Sequence, residues 1–129
     1  MIGDWSLERP RFAALIDRFG KAWEAGDAQA LAALFTETAT FVPDPFDAPV
    51  TGRAAIAAYW NDVPYNQSEI RFRAGETFIA GPWFATEFKC TFRRRRTGHA
   101  VDLRGAIFCE TEGELISEMR LYYRQNGAS

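Results

Sequence analysis

Hydrophobic positions near the start of the chain follow the period of an α-helix. Between Arg9 and Ala25 the apolar residues recur every three or four positions, as Phe12, Leu15, Ile16, Phe19 and Trp23. This spacing predicts an amphipathic helix that begins near Pro10 and buries one face. Gly26 is a stop signal and Asp27 an N-cap, so a second helix is expected over residues 28–35.

A short strand, a loop and a third helix follow. Residues 38–42 alternate weakly between apolar and polar positions, which predicts a strand. The next ten residues, PDPFDAPVTG, contain three prolines and a glycine and are typical of a loop. Thr51 is expected to cap a helix over residues 53–61, which ends before Pro64 and packs through Ile56, Tyr59 and Trp60.

The hydrophobic period changes from 3.6 to 2 in the second half of the chain. Turn signals divide this half into four strands, over about 68–80, 84–95, 100–110 and 114–124. Three helices followed by such a meander indicate an α+β fold. We expect a cone-shaped, curved antiparallel sheet wrapped on the three N-terminal helices and enclosing a pocket.

Turn chemistry predicts the pairing of the strands. A two-residue Thr97-Gly98 turn would place Phe92 opposite Leu103 on the apolar side and Arg93 opposite Asp102 on the outer side. The residues expected to face helices 1 and 3 are Phe72, Phe88, Cys90, Phe92, Leu103, Ile107 and Met119. In this register Cys90 and Cys109 lie too far apart for a disulfide, so both are expected to be free core thiols.

The other two turns each allow alternatives. A three-residue loop at residues 81–83 is favoured because it places Phe72 and Phe78 on the apolar side, whereas a two-residue loop would bury Arg71 and Arg73.

For the last turn, a three-residue loop at 111–113 turns Met119, Leu121 and Tyr123 inward. A two-residue turn at 112–113 instead turns Glu118, Arg120 and Tyr122 inward. The number of apolar residues favours the first register.

Composition and charge narrow the possible functions. The 129 residues are 47% hydrophobic and carry a formal net charge of -2, which predicts a single domain over residues 1–129 and gives no general attraction to nucleic acid or to an anionic membrane. No signal peptide or membrane-spanning run is found, and two cysteines fit a reducing compartment, so a cytoplasmic location is expected. An aromatic content of 15% exceeds what a small core requires and suggests a lined cavity.

Three segments and the order of the elements carry a resemblance to a known family. The segments are FGKAWEAGDAQALAALFTETATF, the Asp-Pro loop and GRAAIAAYW. Together they resemble the SnoaL-like branch of the nuclear transport factor 2-like superfamily over nearly the whole chain. The resemblance implies a cone-shaped α+β barrel with a mainly apolar pocket, commonly dimeric through its sheet. This superfold hosts ketosteroid isomerases, polyketide cyclases, epoxide hydrolases, dehydratases and transport adaptors.

The resemblance also suggests catalytic positions. Steroid isomerases of this superfamily use an aspartate base after the first strand, together with a helix-1 tyrosine and a protonated aspartate of the sheet. Asp44 matches the base if one inserted residue is allowed, but Phe19 occupies the tyrosine position and Gly105 the position of the acid. An efficient ketosteroid isomerase is therefore not expected. The epoxide hydrolases use an Asp-Arg-Asp group. The segment 102–104 resembles that group superficially, but its charged side chains are predicted to point outward.

The candidate site combines a base, a hydrogen-bond donor and an aromatic lining. Asp44 is the candidate base, held by Pro45 and shielded by Phe46; its other interpretation, shared with Asp47, is ordinary turn chemistry. Tyr59 is the candidate donor, with Tyr123 as the alternative. The pocket is predicted to be lined by Phe19, Trp23, Phe46, Trp60, Phe88, Cys90, Met119 and Tyr123. No metal site and no cofactor are expected, since nucleotide and metal motifs are lacking and His99 is the sole histidine.

Two charged features have both a structural and a functional interpretation. The run 93–96 is four arginines at a hairpin tip, which fits a solvated edge or a site for phosphate or carboxylate. Charges of both signs alternate on the outer face of the sheet, beside Phe108 and Tyr122, and suggest the interface of a homodimer.

These observations favour a protein with a pocket for a small hydrophobic molecule, acting as a cofactor-independent isomerase, cyclase or dehydratase. The alternative is a non-catalytic ligand-binding or protein-interaction module of the same fold.

Overall fold

The computed structural model of the protein describes residues 5–126. Its chain begins with a 3-10 turn at Trp5–Glu8. The helices are α1 (Arg9–Ala25), α2 (Ala28–Ala32), α3 (Arg53–Trp60) and α4 (Val63–Asn66). The strands are β1 (Phe35–Val42), β2 (Val50–Thr51), β3 (Gln67–Ala80), β4 (Trp83–Arg94), β5 (Ala100–Glu112) and β6 (Leu115–Gln125).

The signals at the ends of α1 and α2 act largely as predicted. Gly26 adopts the left-handed conformation, with φ of 65°, and its N–H closes the last turn of α1. The carboxylate of Asp27 accepts a hydrogen bond of 3.0 Å from the N–H of Ala30 and caps α2. α2 is shorter than predicted, because Phe35 already belongs to β1. The predicted Thr51 cap of α3 is wrong: Gly52 is the N-cap and no side chain caps that helix.

The sheet has six strands in the order β2-β1-β6-β5-β4-β3. The expectation of a wholly antiparallel sheet needs correction, since β1 pairs with β6 in parallel, for example Phe41 beside Met119. β2 and β3 form the two edges, so the sheet is open. The α+β fold class is confirmed, with α1 packed against the sheet at β3.

The β4–β5 hairpin differs from its predicted register by two residues. Arg93 lies opposite Ala100 and Phe92 opposite Val101, so four residues form the loop instead of two. The loop closes because Gly98 adopts φ of 75° and its N–H donates to the carbonyl of Arg94 at 2.7 Å. A shift of two residues leaves every side chain on its predicted face.

The β3–β4 turn has two residues, Gly81 and Pro82, and not the predicted three. Phe78 therefore points outward and is 58% exposed, which corrects its predicted burial. A bulge at residues 75–76 then exchanges the inner and outer faces for the part of β3 that precedes it. Phe72 consequently packs against the core, while Arg71 and Arg73 remain exposed.

A second bulge determines which face of β6 is buried. The turn between β5 and β6 is formed by residues 113–114, and the register shifts once after Glu110. Met119 and Leu121 are buried as predicted, whereas Glu118 and Arg120 form an ion pair on the outer face, with the Arg120 Nε 2.6 Å from the Glu118 Oε2.

The core lies between the helices and the inner face of the sheet. Five of the residues predicted to face the helices are buried, and they are Phe88, Cys90, Phe92, Ile107 and Met119; Phe72 and Leu103 are half-buried against them. Cys90 and Cys109 are buried free thiols, as predicted. No helix within residues 5–126 has the length and apolar character needed to span a membrane.

Candidate functional site

A cavity of about 380 Å³ lies between the helices and the inner face of the sheet, at the end where β3 begins and β4 ends. It is lined by Trp23, Pro43, Tyr59, Trp60, Asp62, Val63, Asn66, Gln67, Phe88, Phe92, Arg94, Leu103, Leu121, Tyr123 and Gln125. Aromatic and aliphatic side chains form its inner part, and the polar residues come from α4, the residue before it and the strand ends. A cavity of this size and composition is typical of a site for a small organic molecule.

A cluster of aromatic rings supports the inner wall. The rings of Trp23 and Trp60 meet edge to face with centroids 5.1 Å apart. Behind them, Phe19 and Phe41 lie 5.5 Å and 5.8 Å from the Trp60 ring. The contacts of Trp60 with Trp23 and Phe19 are edge to face, and such contacts stabilise the cluster beyond simple burial. The packed rings therefore hold the inner wall in shape.

The two tryptophans that line the cavity differ in the state of their indole N–H groups. Trp23 Nε1 donates to the Gln67 Oε1 at 3.0 Å. Trp60 Nε1 is buried and has no hydrogen-bond partner among the residues that the structure describes. An unpaired buried donor costs about 1–3 kcal/mol, so native proteins seldom leave one without a reason.

Two hydrogen bonds from Arg95 to backbone carbonyls hold the rim of the cavity in place. The N–H of Arg95 donates to the carbonyl of Asn66 at 2.9 Å, and its Nε donates to the carbonyl of Pro64 at 2.8 Å. These bonds dock the arginine-rich hairpin loop onto α4. Arg94 and Gln67, which pair across β3 and β4, are thereby positioned at the cavity.

Tyr59 borders the cavity and lies near a second tyrosine and a carboxylate. Burial raises the pKa of its hydroxyl, and the nearby Tyr123 and Asp44 raise that pKa further. The hydroxyl is therefore protonated at neutral pH and is a hydrogen-bond donor.

The loop that carries Asp44 is more open than predicted. Pro43 lines the cavity, whereas Asp44 is exposed and its carbonyl accepts from the N–H of Asp47 at 3.2 Å, which is turn chemistry. Phe46 is 106% exposed, so the expected shielding of Asp44 by this ring is wrong. Its backbone φ of 74° lies in the left-handed region, which a non-glycine residue rarely adopts.

The structure brings together part of the predicted lining. The predicted residues that border the cavity are Tyr59, Trp23, Trp60, Phe88 and Tyr123. Phe19, Cys90 and Met119 face the predicted side, but each is 0% exposed in the core, because neighbouring side chains cover them. Those three and the exposed Phe46 do not line the cavity, which corrects the assignment of all four. The roles of Asp44 and Tyr59 in catalysis stay predictions.

The polar rim was not identified from the sequence. It consists of Asp62, Asn66, Gln67, Arg94 and Gln125. Strand alternation carried a signal for two of them. Arg94 lies two residues after the inward-facing Phe92, and Gln125 lies two residues after Tyr123, so both were expected on the inner face. Among the described residues, no cluster of three or more His, Cys, Asp or Glu side chains could hold a metal ion.

The family model of the SnoaL-like domain matches residues 16–119. A search of functionally curated proteins found no significant match.

Several solved structures share the fold. A protein of ketosteroid isomerase-like fold from Catenulispora acidiphila, solved with trimethylamine, is 23% identical, with a TM-score of 0.72 and 84% coverage of both chains. An epoxide hydrolase/cyclase-like enzyme of pyran ring formation in the polyether salinomycin is 20% identical, with a TM-score of 0.77 and coverage of 91% of this chain and 92% of the other. The Δ5-3-ketosteroid isomerase of a Mycobacterium species is 18% identical, with a TM-score of 0.70 and coverage of 90% and 98%. With the family model spanning most of the chain, these similarities place the protein in the SnoaL-like domain family.

Proposed function

We propose that the protein binds a small, mainly hydrophobic molecule in the cavity between its helices and its sheet. The observation that carries this proposal is a cavity of about 380 Å³ that is walled by aromatic rings and rimmed by polar side chains. The rings would bury the apolar body of a ligand, and the rim would bind its polar atoms. The protonated hydroxyl of Tyr59 supplies a hydrogen-bond donor at the same cavity.

A neutral fluorescent probe tests this proposal. Phenylnaphthylamine is apolar and becomes fluorescent when it leaves water, so its titration reports binding. Leu103→Trp enlarges a half-buried side chain of the cavity wall, and we expect it to weaken binding about tenfold or more by filling the space. Leu115→Trp is the matched control, because Leu115 is also half-buried on the sheet but lies outside the cavity lining.

Absence of binding to the native protein would contradict the proposal. Equal weakening by the two variants would also contradict it, because the probe would then be reporting a general loosening of the fold.

A second candidate function is acid–base catalysis on a carbonyl compound, with Asp44 as base and Tyr59 as donor to the carbonyl oxygen. The observation that favours it is that the Asp44 charge raises the pKa of Tyr59, so the carboxylate lies within electrostatic range of that hydroxyl. A carboxylate and a protonated hydroxyl that both reach one ligand would be suited to removing a proton next to a carbonyl group.

Proton exchange measures this activity without knowledge of the natural substrate. In deuterated water, a base at this position is expected to exchange the acidic C–H of a cyclic ketone such as tetralone. General-base catalysis is typically worth about 100- to 10,000-fold, so Asp44→Asn should reduce the rate by that factor. Asp47→Asn, in the same exposed loop, is the control. Exchange at the uncatalysed rate, or equal loss in both variants, would leave ligand binding as the sole function.

The outer face of the sheet is the proposed interface of a homodimer. The rings of Phe108 and Tyr122 meet there at 5.4 Å and are 40% and 39% exposed. Burial of this apolar pair against a second copy of the chain would lower the free energy, because apolar surface would be removed from water. Light scattering is expected to give about twice the chain mass of 14.6 kDa, and Phe108→Glu is expected to give a monomer. A monomeric native protein at high micromolar concentration would contradict the interface.

We also propose a cytoplasmic location for the protein. Its two cysteines are buried free thiols, which fits a reducing compartment.

A further inference from the structure

The four consecutive arginines of the β4–β5 hairpin have different surroundings. The Nε of Arg93 forms an ion pair of 3.2 Å with Glu69 on the outer side of the sheet. Arg95 is bonded to the backbone of α4, and Arg96 is exposed in the loop. Within the described part of the chain, Arg94 is the one member of this run that lines the cavity.

The charge of Arg94 has no carboxylate partner within residues 5–126. Its guanidinium carbon lies 5.8 Å from the centroid of the Phe92 ring, a contact that holds the side chain along the wall of the cavity. Its backbone is fixed by hydrogen bonds to His99 and Gly98 across the hairpin. A positioned, unpaired cation therefore stands at the polar end of an apolar cavity.

A second hydrogen-bond donor lies beside Arg94 at the same end of the cavity. Gln67 lies directly opposite Arg94 in the sheet. Its Oε1 already accepts the N–H of Trp23, so its amide NH2 group is left to donate into its surroundings. A ligand that fits this set needs acceptor oxygen atoms.

Asp62 supplies the one carboxylate among the described lining residues. Arg94 is the one cationic side chain among the same lining residues, so the rim can pair one anionic group, and Asp62 would repel a second. Asp62 lies on the segment between α3 and α4, whereas Arg94 and Gln67 lie on the sheet. The anionic group is therefore expected on the sheet side of the rim.

We propose that Arg94 and Gln67 bind the anionic head group of a hydrophobic organic monoanion, a carboxylate or sulfonate, whose apolar body lies among the aromatic rings. This inference rests on the proposed ligand-binding function and adds the charge class of the ligand. A guanidinium is well suited to the task, because it offers planar, paired N–H donors to such oxygen atoms.

A pair of probes separates charge recognition from apolar binding. Anilinonaphthalene sulfonate carries one negative charge, and phenylnaphthylamine is its uncharged analogue. Arg94→Gln is expected to weaken binding of the sulfonate about tenfold, as the loss of a charge-assisted hydrogen bond predicts, and to change binding of the neutral probe less than twofold. Arg96→Gln removes the same charge from the same loop outside the cavity and is expected to change neither affinity. Arg94→Lys, which keeps the charge, is expected to restore part of the affinity.

The outcomes distinguish this inference from the function on which it rests. If the neutral probe binds, and neither Arg94→Gln nor Arg96→Gln weakens binding of the sulfonate, Arg94 does not recognise anions. The ligand-binding function then stands. Equal weakening by Arg94→Gln and Arg96→Gln would show that only the general charge of the loop matters, which would also overturn the inference. If neither probe binds the native protein, the proposed function itself fails.

Discussion

Trp23 and Gln67 join the inner wall of the cavity to its rim through one hydrogen bond, in which the indole Nε1 donates to the side-chain Oε1 at 3.0 Å. Trp23 belongs to α1 and Gln67 begins β3, so the bond also links a helix to the sheet. It occupies the acceptor of Gln67 and directs that residue's amide donor elsewhere. One contact therefore affects both stability and the chemistry of the rim.

Replacing Gln67 should reveal the structural part of this role. In Gln67→Leu the buried N–H of Trp23 loses its acceptor, and we expect the free energy of unfolding to fall by about 1–3 kcal/mol. Urea denaturation followed by tryptophan fluorescence measures the change. Gln125→Leu, at an exposed rim position, is the control and should change stability by less than about 0.5 kcal/mol. Equal effects in the two variants would show that the bond contributes nothing specific.

Gly105 marks a close approach between β5 and β6. A Cβ at this position would collide with the Tyr122 carbonyl oxygen and lie 2.6 Å from the Cα of Tyr123. Backbone atoms cannot move aside as a flexible side chain can. We therefore expect Gly105→Ala to lower the free energy of unfolding by at least about 3 kcal/mol, the upper range for overpacking.

Gly75→Ala is the matched control for that experiment. Gly75 also lies in a strand and has no positive φ, and its added Cβ would meet the Glu87 Cβ at 3.2 Å, where a small adjustment suffices. A thermal-unfolding comparison should show a far smaller loss for Gly75→Ala, and similar losses would contradict the close approach. The same crowding would exclude any larger side chain at position 105.

Much of the fold was predictable because side-chain alternation tolerates errors in turn length. The register of the β4–β5 hairpin was wrong by two residues, yet Phe88, Phe92 and Ile107 are buried as predicted. An error of one residue would have exchanged the two faces. The turn between β3 and β4 is one residue shorter than predicted, which exchanges the two faces of β3 next to the turn. The bulge at residues 75–76 exchanges them again, so the earlier part of β3 has its predicted faces.

The remaining features depend on contacts between distant parts of the chain. The parallel pairing of β1 with β6 has no local sequence signal, because its partners are far apart in the chain. The position of Arg94 at the cavity follows from the docking of its loop onto α4, which the pattern of four arginines does not reveal. The exposure of Phe46 likewise had no sequence signal, and its backbone has a φ of 74° that an aromatic residue rarely adopts.

The two cysteines should be unreactive in the folded protein. Burial raises the pKa of the Cys90 thiol from 9.0 to about 12, and burial raises the pKa of Cys109 as well. Since the thiolate is the reactive form, iodoacetamide should label neither thiol at neutral pH in the native state and both in urea. Mass spectrometry counts the labels. Rapid labelling of either native thiol would contradict its burial.

The same shifts make stability depend on alkaline pH. A thiol with a raised pKa holds its proton in the folded state after the unfolded thiol has lost it, so the stability it contributes is present below pH 9.0 and is lost as pH rises towards 12. We expect the free energy of unfolding to decline over this interval in the native protein. The decline should be shallower in Cys90→Ala, despite the lower starting stability that a cavity causes. Parallel pH profiles of the native protein and Cys90→Ala would mean that Cys90 does not contribute to this decline in stability.

Phe46 combines complete exposure with a strained backbone. Its ring is 106% exposed, and its φ of 74° lies in the left-handed region, which costs a non-glycine residue about 1–2 kcal/mol. Phe46→Gly removes this cost without removing a buried contact. Glycine also makes the unfolded chain more flexible, which offsets about 0.4–1 kcal/mol of the gain. The net expectation is a rise of about 0.5–1 kcal/mol in the free energy of unfolding.

Ala48→Gly, two residues further along the same loop, provides the comparison. Ala48 has no positive φ, so this variant should suffer the flexibility of glycine without relief of strain and lose about 0.4–1 kcal/mol. Opposite signs for the two variants in urea denaturation would establish that the loop holds Phe46 in a strained conformation. If Phe46→Gly loses as much stability as Ala48→Gly, the ring must make a contact in solution that outweighs the strain. Binding of phenylnaphthylamine to Phe46→Gly then decides whether that contact involves the cavity, because an aromatic side chain that closes over a ligand would weaken its binding when removed.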